Sequence, residues 1–84
     1  MKIRNNIALS ESGFIFNPNT GESFTLNPTG QQLFGLIRDG KDYKAIRKYF
    51  LDNYDTEDSI FEKDFEDFMH MMTSYQMMET DEQA

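Results

Sequence analysis

The chain has 84 residues, 38% of them hydrophobic, a net charge of −7 and no cysteine, which allows one domain with one core and excludes a disulfide framework or a thiolate metal site. Its single His rules out a histidine cluster, so eight Phe and four Tyr must supply the packing. No secretory apolar region or bilayer-length apolar run is present, and the expected setting is soluble, cytoplasmic and away from membranes.

Ile7, Ala8 and Leu9 form a first short apolar run, and Phe14, Ile15 and Phe16 a second. Glu11-Ser12-Gly13 between them reads as the turn of a hairpin. The next turn is Asn17-Pro18-Asn19-Thr20-Gly21, with Pro where φ is fixed and Gly where φ turns positive. It returns the chain into Ser23-Phe24-Thr25-Leu26, whose alternation is that of a half-buried strand. A three-stranded antiparallel meander results, and three strands are stable only when something covers one face.

That cover comes from helices. Asn27 is a side-chain cap and Pro28 suits the first helical position, where its missing N–H has no partner. Leu33, Phe34 and Ile37 then recur at helical spacing, with Gly30 on the same stripe, a place where two backbones can approach closely. Asp39-Gly40 ends the first helix. Asp42 caps a second, with Tyr43, Ile46 and Phe50 as its buried stripe, and Asn53-Tyr54 closes it. A third helix is predicted from a Thr56 cap, with Glu57 and Asp58 in its first turn facing the positive end of the dipole. Phe61, Phe65, Phe68, Met72 and Tyr75 step by four, three, four and three, the strongest periodicity in the chain. Five of the six Met lie between positions 69 and 78, and Met suits adaptable binding surfaces as well as cores. The fold class is therefore α+β, a three-stranded antiparallel sheet followed by three helices in a winged-helix-like order. One domain spans residues 1–78, and residues 79–84 form a polar, disordered tail.

Charge divides the chain. Residues 1–51 hold seven Lys or Arg against four acids, whereas residues 52–84 hold Lys63 against eleven. This acidic third serves either as a solvated face or as a docking surface for a basic partner. Enzyme chemistry has no foothold: no nucleophile context or Gly-rich phosphate loop appears, and His70 has no evident partner. Asp52, Asp55, Glu57 and Asp58 lack the Gly and the spacing of a calcium loop. Neither a metal nor a cofactor is expected. A winged-helix nucleic-acid binder is a third reading, but no nucleic-acid partner is expected, because Asp58, Glu62, Asp64, Glu66 and Asp67 on the third helix repel phosphates.

Taken together, Phe24-Thr25-Leu26-Asn27 before Pro28-Thr29, Leu36-Ile37-Arg38-Asp39-Gly40, Ile46, Asp64-Phe65, Phe68-Met69, Met72 and Met77-Met78 resemble the PqqD-like family, the peptide-binding domain also called the RiPP recognition element. The resemblance runs from about Ile7 to Met78. It departs in its Phe and Met where Val or Leu is commoner, and in Gln76 where a Gly commonly precedes the closing apolar pair. It implies a non-catalytic chaperone that binds the leader segment of a ribosomally made precursor peptide and presents it to a modifying enzyme, often a radical SAM protein.

The same resemblance implies that the leader adds as a strand beside the third strand and lies against the third helix. The candidate peptide-binding residues are Ser23, Phe24, Thr25 and Leu26 on the strand, with Ile60, Asp64, Phe65, Phe68 and Met71 on the helix. The alternative is an acidic protein–protein interaction or regulatory module of the same fold, binding a folded partner. An exposed edge strand also permits a homodimer.

Overall fold

In the computed structural model, which describes residues 1–79, three antiparallel strands precede three helices. β1 (Ala8–Leu9), β2 (Phe14–Asn17) and β3 (Glu22–Thr25) form one sheet in the order β1-β2-β3, so β3 is an edge strand. Gly13 makes the first reversal with φ +89, and a Cβ there would stand 2.9 Å from the Leu26 carbonyl oxygen. Only glycine fits that turn. The register pairs Leu9 with Ile15 and Ile15 with Phe24, and all three contribute to the core or pack against it. Phe14 and Phe16 consequently point to the open face of the sheet, 45% and 38% exposed. Ile7 is buried but precedes the paired part of β1, and Leu26 lies just past β3.

The helices are α1 (Pro28–Arg38), α2 (Tyr43–Asn53) and α3 (Asp58–Ser74). Asn27 caps α1 by accepting from the Gly30 N–H at 2.8 Å, and Asp42 caps α2 by accepting from the Ala45 N–H at 2.9 Å. Thr56, the expected cap of α3, does not cap it. Its N–H donates to the Tyr54 carbonyl at 3.0 Å in a tight turn, so the N-cap falls on Glu57, which makes no side-chain bond. The start of α3 is held instead from outside: Arg47 Nε donates to Asp58 Oδ1 at 2.6 Å. That bond keeps the Asp58 carboxyl below its ordinary carboxylate value.

Leu33, Phe34 and Ile37 of α1, Ile46 and Phe50 of α2, and Phe61, Phe65, Phe68 and Met72 of α3 meet Ile15 in one core. Tyr43 and Tyr75, expected in the buried stripes, are instead 36% and 39% exposed. The Tyr43 ring stands edge-on to Phe65 at 4.9 Å, capping the core from its rim. Tyr75 is already the C-cap of α3, and its ring lies 5.1 Å from Phe24.

The two ends of the described chain close on each other. Ile3 and Met78 form an antiparallel bridge, flanked by bonds from the Arg4 N–H to Met77 O (3.0 Å) and from the Glu79 N–H to Lys2 O (2.7 Å). Ile3 and Met77 are buried in the core. Asn17, read in the sequence as the start of a turn, pairs with Glu22 and is fully buried. Its Nδ2 donates to the carbonyls of Tyr75 (3.0 Å) and Gln76 (3.2 Å), and its Oδ1 accepts from the Asn19 N–H. Of the expected polar tail, residues 80–84 lie outside the described residues, whereas Glu79 is tied to Lys2.

α3 ends in a Schellman motif. The Met77 N–H reaches Met72 O at 2.9 Å and the Gln76 N–H reaches Thr73 O at 3.0 Å, with Gln76 at φ 58. A residue with a Cβ is strained there. Gln76→Gly is expected to raise stability by about 0.5–1 kcal/mol, strain relief outweighing the added freedom of the unfolded chain. Thermal unfolding checks this: an unchanged or lower midpoint would mean that the motif holds Gln76 without strain.

Candidate functional site

The outer edge of β3 is defined by hydrogen-bond parity. Antiparallel strands alternate between residue pairs that exchange two backbone bonds and pairs that exchange none. The Leu26 N–H donates to Gly13 O at 2.8 Å, so the Phe24–Ile15 pair two residues earlier is also an exchanging one. Ser23 and Thr25, opposite Phe16 and Phe14, therefore turn their N–H and C=O groups away from the sheet. The Leu26 carbonyl is engaged by Gln31 Nε2 at 3.1 Å. Four backbone groups, two from Ser23 and two from Thr25, are left for a further strand.

Beside this edge runs a groove of about 560 Å³. Phe24, Thr25, Leu26 and Asn27 form one wall and lead into Thr29, Gly30 and Leu33 of α1. At Gly30 the helix start lies close against the strand end: an added Cβ would stand 3.2 Å from the Asn27 cap oxygen and 3.4 Å from the Leu26 side chain. The opposite wall is α3, through Asp64, Asp67, Phe68, Met71 and Tyr75. Leu26, Leu33 and Phe68 are buried and make the floor apolar, while the two aspartates are exposed on the rim. Asp67 Oδ2 is paired with Lys63 Nζ at 3.1 Å, and among the described residues Asp64 makes no ion pair.

Of the residues expected at the site, Phe24, Thr25, Leu26, Asp64, Phe68 and Met71 come together in this lining. Ser23, Ile60 and Phe65 do not line it. Ser23 contributes to the edge through its backbone alone. Ile60 is 51% exposed and shares the stripe of Asp64 one turn nearer the helix start, outside the groove lining, and Phe65 is turned toward Tyr43 and Phe61. Positions 64, 67, 68, 71 and 75 recur as one helical stripe, so Asp67 and Tyr75 were within reach of periodicity once that flank is chosen. Thr29, Gly30 and Leu33 of α1 were not among the residues expected at the site. They enter because α1 follows β3 after only Leu26 and Asn27, as the cap at Asn27 and Pro28 signalled, and the groove extends across to that helix start.

A sequence model of the family described as Coenzyme PQQ synthesis protein D (PqqD) matches residues 13–77. The chain belongs to the PqqD family. Among curated proteins no match to this PqqD-family chain is found. Among solved structures it is similar to that described as TbiB1 in complex with the TbiA(beta) leader peptide, at 21% sequence identity. That likeness covers 98% of this chain and 99% of TbiB1 with a TM-score of 0.87. The order of three strands and three helices is thus the fold of a PqqD-family domain. In this PqqD-family chain the groove offers hydrogen-bonding edge groups above an apolar floor, an arrangement suited to an extended peptide.

Proposed function

We propose that this chain is a non-catalytic adaptor that binds the leader segment of a ribosomally synthesised precursor peptide and presents it to a separate modifying enzyme. The observation that carries this reading is the free edge of β3 running along an apolar groove walled by α3. Its PqqD-family membership supports the reading, as does the shared fold of TbiB1, whose structure includes a leader peptide. The leader adds as a fourth strand beside β3 and rests alternate side chains on Leu26, Leu33, Phe68 and Met71. The enzyme is a protein such as a radical SAM enzyme in the same cytoplasm. Without a leader, the same edge is available to a second copy, giving a homodimer that the leader displaces.

Magnitudes assign the work. Four strand bonds at about 0.5–1.5 kcal/mol each contribute a few kcal/mol, against roughly 4–15 kcal/mol for lost freedom on association. Affinity and choice must then come from side chains in the groove. The acidic C-terminal third mainly speeds encounter with a basic leader. Raising salt from about 0.05 to 0.5 M is expected to slow association several-fold and to change dissociation little. Stopped-flow binding measures both, and a salt-independent on-rate would remove the steering role.

The adaptor reading itself is tested by titrating the isotope-labelled chain with the leader of a precursor peptide encoded beside its gene. Amide shifts are expected at residues 22–27 and along α3 from 64 to 75. Saturating peptide that moves neither set would exclude this site.

A further inference from the structure

Past Asp64, beside the groove, lies a smaller recess of about 100 Å³ between the three helices. Thr29, Leu33 and Asp64 line both, so the two spaces adjoin and Asp64 stands at their boundary. The walls of the recess are Phe50, Tyr54, Phe61 and Thr56. Phe50 is stacked with Tyr54 at 5.1 Å and with Phe61 at 5.3 Å, so three rings make one continuous aromatic surface. Tyr54 is 44% exposed and leaves the recess open to solvent. An aromatic wall and a carboxylate favour the same kind of guest. The stacked rings offer an apolar wall to the methylenes of a long side chain, and Asp64 offers a carboxylate that forms no ion pair among the described residues. A site that holds one water needs about 10–15 Å³, so this recess takes an ammonium or guanidinium end with its last methylenes.

Resting on the adaptor reading above, we infer that the leader carries an arginine or lysine whose cationic end enters this recess and pairs with Asp64. The apolar floor alone selects for alternating hydrophobic side chains, a pattern many strands share. The basic side chain fixes the register, because only one position along the added strand lies over that boundary. Asp67 serves less well, since Lys63 already neutralises it. Neutral side chains, tyrosine included, forgo the charge pairing.

The test is selection of random 12-residue peptides, displayed on phage, against the full 84-residue chain and its Asp64→Asn, Asp64→Lys and Thr25→Pro variants. Asp64 is exposed on α3, so these changes leave the fold in place, and circular dichroism checks that they do. Peptides retained by the wild type and lost on Thr25→Pro are the strand-adding ones. They are expected to carry Arg or Lys at one fixed offset from their apolar residues. Asp64→Asn should weaken each about tenfold, and Asp64→Lys should turn the preference at that offset to Asp or Glu. Thr25-dependent peptides with no basic preference, or with tyrosine at that offset, would overturn the inference and leave the adaptor reading standing. A selection yielding no Thr25-dependent peptide would overturn both.

Discussion

Thr25→Pro is expected to weaken leader binding at least tenfold while moving the unfolding midpoint by no more than a few degrees. Thr25 turns its N–H away from β2, and proline is tolerated on an edge strand where the N–H faces outward. The fold therefore loses no ladder bond. An added strand loses a donor and meets the pyrrolidine ring where its own carbonyl should approach, so more than the roughly 1 kcal/mol of one bond disappears. Phe24→Pro is the matched control. Phe24 pairs with Ile15 inside the sheet, so that change should unfold the hairpin rather than spare it. Fluorescence anisotropy with a labelled leader, beside thermal melts of both variants, separates the two effects. Full binding by a folded Thr25→Pro protein would mean that the peptide does not use this edge.

The second large effect is expected at Asn17, which does not line the groove. Its buried amide donates to the carbonyl of Tyr75, the C-cap of α3, and to that of Gln76, which Arg4 Nε also reaches at 2.9 Å. Asn17→Ala removes both bonds, leaving the Tyr75 carbonyl without this donor and the Gln76 carbonyl with Arg4 alone, beside a small cavity. The cost should be about 2–3 kcal/mol, a fall of roughly 10–20 °C in midpoint at 4–8 °C per kcal/mol for a domain of this size. Because Tyr75 lines the groove and lies against Phe24, leader affinity should fall as well. Asn17→Asp keeps one acceptor but offers no amide donor, and should lose stability similarly near neutral pH. Calorimetry decides: a midpoint within a few degrees of wild type would show that the α3 terminus finds other partners.

How much of this was legible before folding depends on the range of each interaction. The caps at Asn27 and Asp42 act over three residues, and both were readable from residue type and position. The α1 stop at Asp39-Gly40 and the Phe-rich stripe of α3 are likewise local. Thr56 had the chemistry of a cap, yet the turn at Tyr54 and the Arg47–Asp58 pair decide where α3 begins, and that pair reaches across two helices. Phe14-Ile15-Phe16 is apolar throughout, so alternation cannot say which face is covered until β1 and β3 fix the register. The groove divides in the same way. Its strand wall follows from the pattern Phe24 to Asn27, whereas the flank of α3 that faces it, and how far along that flank the groove extends, depend on how α3 crosses the sheet: the groove takes in Met71 and stops short of Ile60 on the same stripe. Nothing local announced the Ile3–Met78 bridge, because neither residue sits in a periodic element.

That bridge also bears on how the domain can be built into other chains. With the Glu79 N–H bonded to Lys2 O at 2.7 Å, entry and exit are side by side, and neither uses β3 or the groove-lining part of α3. Chains whose two ends meet at the surface tolerate insertion into a host loop and circular permutation. Joining residues 2 and 79 through a short Gly/Ser linker and opening the chain at the Asp39-Gly40-Lys41 turn should yield a permuted domain with its peptide edge intact. The unit is then portable, as a free-standing partner or as an insert within the protein it serves.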